Sequence, residues 1–448
     1  MCYNSHIDCM KVGNFRMRRL LSVALALLML LAPCAQAALC VRMDDGAALL
    51  DRDGGEIVAP GTHSDIVSLG GGLYAAGNEG GLYALMDADG TLRTDFLYDR
   101  LRCEDGLLLA QRDGLWGMLR ADGTPLSGFV YSWMQPNGAG GAWAIAGDRS
   151  DAESDPLYRV SASGTVSEMG LRVHAVGGGS EGMLSVQLPG ERRYGYCDAS
   201  GDLAIPAQFD YAGDFTGGLA AAVLDGRYGA IDASGAWVLQ PEYDFLQVSP
   251  AGFILAAVEL EGVYVFDGIG AELARYEGND VYGALAGVGY VVSDPDALQL
   301  CDASGALLLE TSPDASVTEG IGGQWIVSEG AWGETCVRLL GTDSAYQNLY
   351  PLGTAGEEAI YACMTVNVGR YMNDKLGEIQ LSTDMDSARY GVVGSDGEVL
   401  LEPVYRALYF LEDDRLLARS DEAWLVLDTS GEVYWQWDAP MQTEATSF

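Results

Sequence analysis

Arg193-Tyr194-Gly195-Tyr196-Cys197-Asp198-Ala199-Ser200-Gly201 is followed, 34 residues later, by Arg227-Tyr228-Gly229-Ala230-Ile231-Asp232-Ala233-Ser234-Gly235. The continuations also agree, Pro206-Ala207-Gln208-Phe209-Asp210 matching Pro241-Glu242-Tyr243-Asp244. Self-similarity at such a period marks units that cannot bury an apolar face alone and must stack on neighbours. Each unit reads as three strands. In the best one these are Leu219 to Leu224, Tyr228 to Asp232 and a long third strand from Trp237 to Val248. Asp225-Gly226 forms a two-residue hairpin turn between the first two, because both central residues tolerate positive φ. Asp113-Gly114 repeats that device ahead of Trp116-Gly117.

Working outward, turn glycines in the same setting recur at Gly54, Gly90, Gly123, Gly164, Gly201, Gly235, Gly270, Gly305, Gly341, Gly397 and Gly431, with ten gaps of 33 to 41 residues except one of 56. Ten or eleven units therefore fill the chain, and the long gap sets residues 342–389 apart as an insertion or degenerate repeat. An aromatic stands seven residues before the glycine at Tyr83, Trp116, Tyr194, Tyr228, Tyr390 and Trp424, followed by Gly117, Gly195, Gly229 and Gly391 in four cases. The expected fold class is all-β: tandem three-stranded β-meander repeats of about 35 residues in a propeller-like array, the alternative being an open solenoid or superhelix. Ten or more units exceed the usual four to eight blades, so two arcs divided near 342–389 are expected rather than one ring.

These residues resemble the WG-repeat family of bacterial proteins, whose units carry an aromatic-Gly pair, a short Asp-x-x-Gly turn and a Pro-x-Tyr-Asp segment. The Pro segments stand at Pro206, Pro241 and Pro403. Elsewhere the pattern lapses, with Tyr83 followed by Ala84 and Tyr264 by Val265. The resemblance implies a repeat scaffold with an interaction role and no activity. Trp116, Gly117, Tyr194, Gly195, Gly201, Tyr228, Gly229, Gly235, Tyr390 and Gly391 are accordingly read as structural.

Near the start, Arg16, Arg18 and Arg19 precede an apolar run from Leu20 to Leu31, then Pro33 and Ala35-Gln36-Ala37. That is the layout of a cleaved secretory signal. The run is too short for the roughly 20 residues of a membrane-spanning helix. Residues 1–37 are expected to be the signal peptide, with the true start possibly at Met10 or Met17, followed by repeats over 38–341 and 390–448. The formal net charge is −39, and the segment after Ala37 holds 21 basic against 63 acidic residues. A polyanion of this size repels phosphate backbones and anionic membranes, which disfavours nucleic acid and stable membrane association as partners. Six cysteines remain after Ala37, and Cys197 and Cys301 occupy the place that Ile231 takes in a sister unit, which reads as small core hydrophobes.

Gly178-Gly179-Ser180-Glu181-Gly182 is a formal G-x-S-x-G. It falls in a glycine-rich link before a strand, with no helix to form a nucleophile elbow. His63 and His174 are the histidines left to serve as a base. Asp51-Arg52-Asp53-Gly54 and Asp87-Ala88-Asp89-Gly90 look like fragments of a calcium loop but lack its distal glutamate and read as turns. No catalytic residue, metal ligand or cofactor is expected, calcium being the weak exception. Trp133, Trp143, Trp325 and Trp332 lie outside the motif positions and are the candidates for a recognition surface. The expected function is a secreted or surface-associated scaffold, not an enzyme, that binds a protein, peptide or glycan. The alternative is an extracellular hydrolase using carboxylates in a groove.

Overall fold

The computed structural model describes residues 38–438 except 44–45, 148–154, 279–280, 286, 331–335, 374–377 and 412–413. The signal segment 1–37 lies outside the described residues. Among the described residues the chain is antiparallel sheet throughout, apart from one short 3-10 turn at Ile321–Gly323. Among these residues no helix is long and apolar enough to cross a membrane.

The strands fall into eleven consecutive blades: residues 39–63, 65–87, 100–119, 131–173, 175–209, 211–243, 245–277, 282–311, 316–339, 348–405 and 407–438. Within every blade the strands lie in chain order, and blades three and four are joined into one seven-stranded sheet by the pairing of Trp116 with Tyr131. Each blade has one of the eleven turn glycines, within its strands or, for Gly90, Gly123 and Gly341, just after the last one, and all eleven have φ between 81° and 94°. A side chain there would stand in the left-handed region, which is why the periodic residue is glycine. Asp225-Gly226 and Asp113-Gly114 both have positive φ at their two residues, as a tight hairpin requires.

The long third strand expected over Trp237 to Val248 is divided. Trp237–Tyr243 pairs with Arg227–Asp232 in blade six, and Phe245–Val248 opens blade seven. Asp244 is the single residue between them, and its N–H already donates to Ala257 O of blade seven (2.9 Å). Asp210 does the same between blades five and six, donating to Val223 O (2.8 Å). Most blades are therefore four-stranded, with the repeat's third strand shared between two sheets.

Period-two alternation normally gives a strand one dry face and one wet face. Here the second strand of a blade is dry on both. In Leu107–Arg112, Leu107 and Leu109 pack with Met118, Tyr131, Met134 and Ala142, while Leu108 and Ala110 pack with Leu69, Ala75, Leu85 and Tyr98. Each blade is thus sandwiched between the one before and the one after. The same pairing runs along the array to blade eleven, where Leu417, Trp424, Val426 and Trp435 pack on Leu39, Val41, Ala48 and Leu50 of blade one. Trp435 Nε1 also donates to Glu56 Oε1 (3.1 Å), 379 residues away in sequence. The array closes into one ring of blades, and the expected division into two arcs is not present. Closure is by face-to-face packing and this side-chain hydrogen bond; among the described residues no backbone ladder joins the sheets of blades one and eleven.

The region 342–389 holds the strand Asn348–Ala355 and most of a hairpin formed by Glu358–Asn373 and Glu378–Gly394. These pair from Ile360 with Gly394 out to Asn373 with Glu378. The 56-residue spacing in sequence reflects a blade whose second and third strands are 16 and 17 residues long.

Candidate functional site

The motif residues position the scaffold, and their geometry explains their chemistry. Tyr194 stands opposite Phe209, but Tyr196 stands opposite Ile205, so residues 206–208 bulge across Gly195 alone. The same step occurs at Gly229, between Tyr228 opposite Tyr243 and Ala230 opposite Leu239, and at Gly391, between Tyr390 opposite Tyr405 and Val392 opposite Leu401. A Cβ on Gly195 would lie 2.4 Å from Ile205 O, and one on Gly391 would lie 2.4 Å from Leu401 O. The aromatic-Gly pair and the Pro segment are two halves of one β-bulge. Proline fits there because a bulged residue needs no ladder N–H. Trp116, Tyr194, Tyr228 and Tyr390 are half-buried against the inter-blade clusters.

Of the four tryptophans expected to serve recognition, the three among the described residues do not form an exposed surface. Trp143 is fully buried, with Nε1 3.4 Å from Asp198 O, and Trp325 is buried as well. Trp133 is half-buried against the cluster that holds Trp143, and Trp332 lies outside the described residues. The physical reason is the double-sided burial of second strands. Trp143 and Trp325 belong to second strands, Gly141–Ala146 and Trp325–Glu329, most of whose residues are buried.

Ser180 Oγ donates to Phe215 O (2.6 Å), and the next residues, Glu181 and Gly182, form a hairpin turn with φ of 49° and 77°. Glu181 reaches to the following blade, accepting from the N–H groups of Gly217 and Gly218 (2.8 and 2.9 Å). His63 is half-buried, which pushes its pKa down, and its ring lies 5.9 Å from that of Phe96. His174 is exposed.

The acidic turns spend their carboxylates on their own backbone. Asp51 Oδ1 accepts from Asp53 and Gly55 N–H (2.9 and 2.7 Å). Asp87 and Asp89 both accept from Thr91 N–H (2.9 and 3.0 Å), and Asp87 Oδ2 pairs with Arg93 (2.6 Å). Asp198 Oδ1 accepts from the Ser200 hydroxyl (2.6 Å) and from the N–H groups of Ser200, Gly201 and Asp202. The Ser200 hydroxyl, with those amides, holds the Asp198 carboxyl below its ordinary range.

Exposed aromatics do occur, in a place the motif reading passed over. The first strands of blades six, seven and eight each open on an aromatic: Tyr211, Phe245 and Tyr282. They are 52, 42 and 71 % exposed, while the next residue on the first two strands, Ala212 and Leu246, is buried. Outside this row Tyr409, on the first strand of blade eleven, is also exposed (54 %), but only here do large rings stand exposed at one position of three successive blades. Their flanking acids are paired. Arg193 lies 3.3 Å from Asp210 and 3.1 Å from Asp225, and Arg227 pairs with Asp244. A cleft of about 300 Å³ opens between the first strands of blades seven and eight, lined by Gln247, Val248, Ser249, Pro250, Leu285 and Gly287. A second cleft, about 400 Å³, lies at the closing seam among Cys40, Arg42, Tyr409, Phe410, Leu411, Leu417 and Trp424. The signal for the aromatic row was in the sequence: Tyr211 and Phe245 directly follow the Asp that ends each Pro segment.

Residues 194–228 and 228–264 match the family model described as WG containing repeat. Two adjacent WG repeats run through blades five to seven. They contain both of the strand openings Tyr211 and Phe245, so the aromatic row begins inside the WG repeats themselves. No curated protein matches the chain. Among solved structures, it is similar to a eukaryotic initiation factor (11% identity, covering 63% of this chain and 82% of that one, TM-score 0.37). It is also similar to Hsv2p of Kluyveromyces lactis (8% identity, 62% and 94%, TM-score 0.30). A third likeness is to apo AztD from Citrobacter koseri (14% identity, 61% and 94%, TM-score 0.30).

Proposed function

We propose that the protein is an exported binding scaffold that acts outside the cell or at its surface, holding a protein, peptide or glycan along the aromatic row of blades six to eight without turning it over. The observation that carries this reading is the repeated exposure of Tyr211, Phe245 and Tyr282 on a ring whose other large side chains are mostly buried. Export is supported by the basic, apolar, A-x-A layout of residues 16–37. Binding without chemistry is supported by the engagement of Ser180 and the turn aspartates in structural hydrogen bonds. The scaffold works without a cofactor.

The test is to screen the mature chain on peptide and glycan arrays beside the triple variant Tyr211→Ala, Phe245→Ala, Tyr282→Ala. The expected result is binding by the parent, loss in the variant, and an unchanged melting temperature, since all three rings are exposed. Turnover of any array member that disappears on changing one carboxylate would overturn the reading, and a rise in melting temperature with added calcium would overturn its cofactor-free form. N-terminal sequencing of the exported chain is expected to start at Ala38.

A further inference from the structure

Resting on that reading, we infer that the occupant of the aromatic row is an extended neutral polysaccharide, laid across the first strands of blades six, seven and eight with one sugar face on each ring. A single exposed aromatic needs no explanation, but three at one position of consecutive repeats form a ladder. A ladder selects a ligand that itself repeats. The rings offer flat apolar faces, so the repeating unit must present an apolar face of its own, as a pyranose does through its axial C–H groups.

The polar surroundings narrow the class further. Beside the rings, Asp210 and Asp225 share Arg193, and Asp244 is matched by Arg227. Such pairs display donors and acceptors side by side with little net charge, and that suits hydroxyl groups, which both donate and accept. A cationic peptide would seek uncompensated carboxylates instead. Polyanionic glycans and nucleic acids are repelled by a chain of net charge −39. A peptide strand added to one sheet edge would satisfy one blade and leave the other two rings bare. At the far ends of the strands that Phe245 and Tyr282 open, the cleft of about 300 Å³ between Gln247 and Leu285 gives a substituent of the chain room to descend from the platform.

Affinity gel electrophoresis of the full exported chain tests this, with soluble linear glucan, mannan, xylan and galactan in separate gels at low and high salt, and a lysine-rich extended peptide as comparison. At least one neutral polysaccharide is expected to retard the parent, with retardation insensitive to salt because no net charge is exchanged. Removing one ring (Tyr211→Ala, Phe245→Ala or Tyr282→Ala) is expected to weaken binding about three- to tenfold, as losing one stacked face does. Oligosaccharides of the retarding polymer are expected to bind more tightly with length until they span the three rings. If no neutral polysaccharide retards the parent, or if the triple variant is retarded equally, the inference is overturned. Ring-dependent binding of the peptide alone would overturn the polysaccharide and leave the scaffold reading standing. Absence of ring-dependent binding by either class would overturn both.

Discussion

Blades five, six and ten carry a three-residue bulge opposite the glycine position of their third strand, whereas blades seven and eleven have only a smaller shift further along. In the bulged group Gly195, Gly229 and Gly391 each face three residues of the fourth strand, two more than an unbroken ladder would place there. In blade seven the ladder runs unbroken from Val263 opposite Tyr276 through Val265 opposite Ala274, and in blade eleven from Trp424 opposite Trp437 through Val426 opposite Trp435. The residues at the glycine position there are Tyr264 and Leu425, and neither blade has a proline in its fourth strand. The lapses in the motif are therefore not decay. Where the partner strand bulges, a small residue stands opposite, glycine in these three blades and Ala48 in blade one; where it runs straight, a large side chain fills the space and packs.

Four changes would break or sharpen this contrast. The largest effect is expected in a straight blade that also closes the ring: Trp435→Ala removes a buried ring from the packing of blade eleven on blade one, at a cost of about 3–5 kcal/mol in denaturant unfolding. A loss under 1 kcal/mol would mean that the closing contact does not hold in solution. Next, Gly229→Ala forces a Cβ to within 2.6 Å of Leu239 O and of the Trp237 ring, and the overpacking is expected to cost about 2–3 kcal/mol. If alanine is tolerated there, the account of the bulge is wrong. Pro241→Ala should cost less, about 0.5–1 kcal/mol, because it mainly frees the unfolded chain.

The smallest effect should be the same in both groups, because bulged and straight blades share the turn. Asp198 in blade five and Asp302 in blade eight are both held below the ordinary carboxyl value of 3.8, first by a serine hydroxyl, Ser200 or Ser304, and then by turn amides. A depressed folded pKa contributes stability that is fully present above the unfolded value and is lost as pH falls through the folded one. Melting temperature is thus expected to fall as pH drops below 3.8, and Asp198→Asn and Asp302→Asn should blunt that fall to similar small extents. A difference between the two variants would show that the turn depends on blade type after all.

Much of the ring was legible in the sequence because it is written once per unit. The turn glycines located every blade, and Asp225-Gly226 located a hairpin with both φ angles positive. What periodicity could not show was where the third strand changes sheets, since Trp237 to Val248 reads as one extended run and only the hydrogen bond from Asp244 N–H to Ala257 O reveals the division. Nor could it show closure, which rests on Trp424 and Trp435 meeting Leu39 and Val41, residues with no repeat signature. The exposed aromatics were misplaced for a related reason. Trp143 was conspicuous as a tryptophan outside the motif, yet its strand is dry on both faces; Tyr211 and Phe245 were inconspicuous as strand openings, yet their faces are wet. Residue type was the weaker guide, and strand rank within the blade was the stronger one.

The contact between Glu56 and Trp435 has a consequence for the order in which the molecule can be made. Blades two to ten can settle on a neighbour as soon as the next unit is available, but the outer face of blade one has no partner until the final strand, Val433–Asp438, has been synthesised. Leu39, Val41 and Leu50 therefore stay uncovered for nearly the whole of translation. A chain cut short by one blade loses more than one eleventh of its stability. It leaves two apolar faces bare at once, and becomes a species that a quality-control protease or holding chaperone can recognise by its missing last piece.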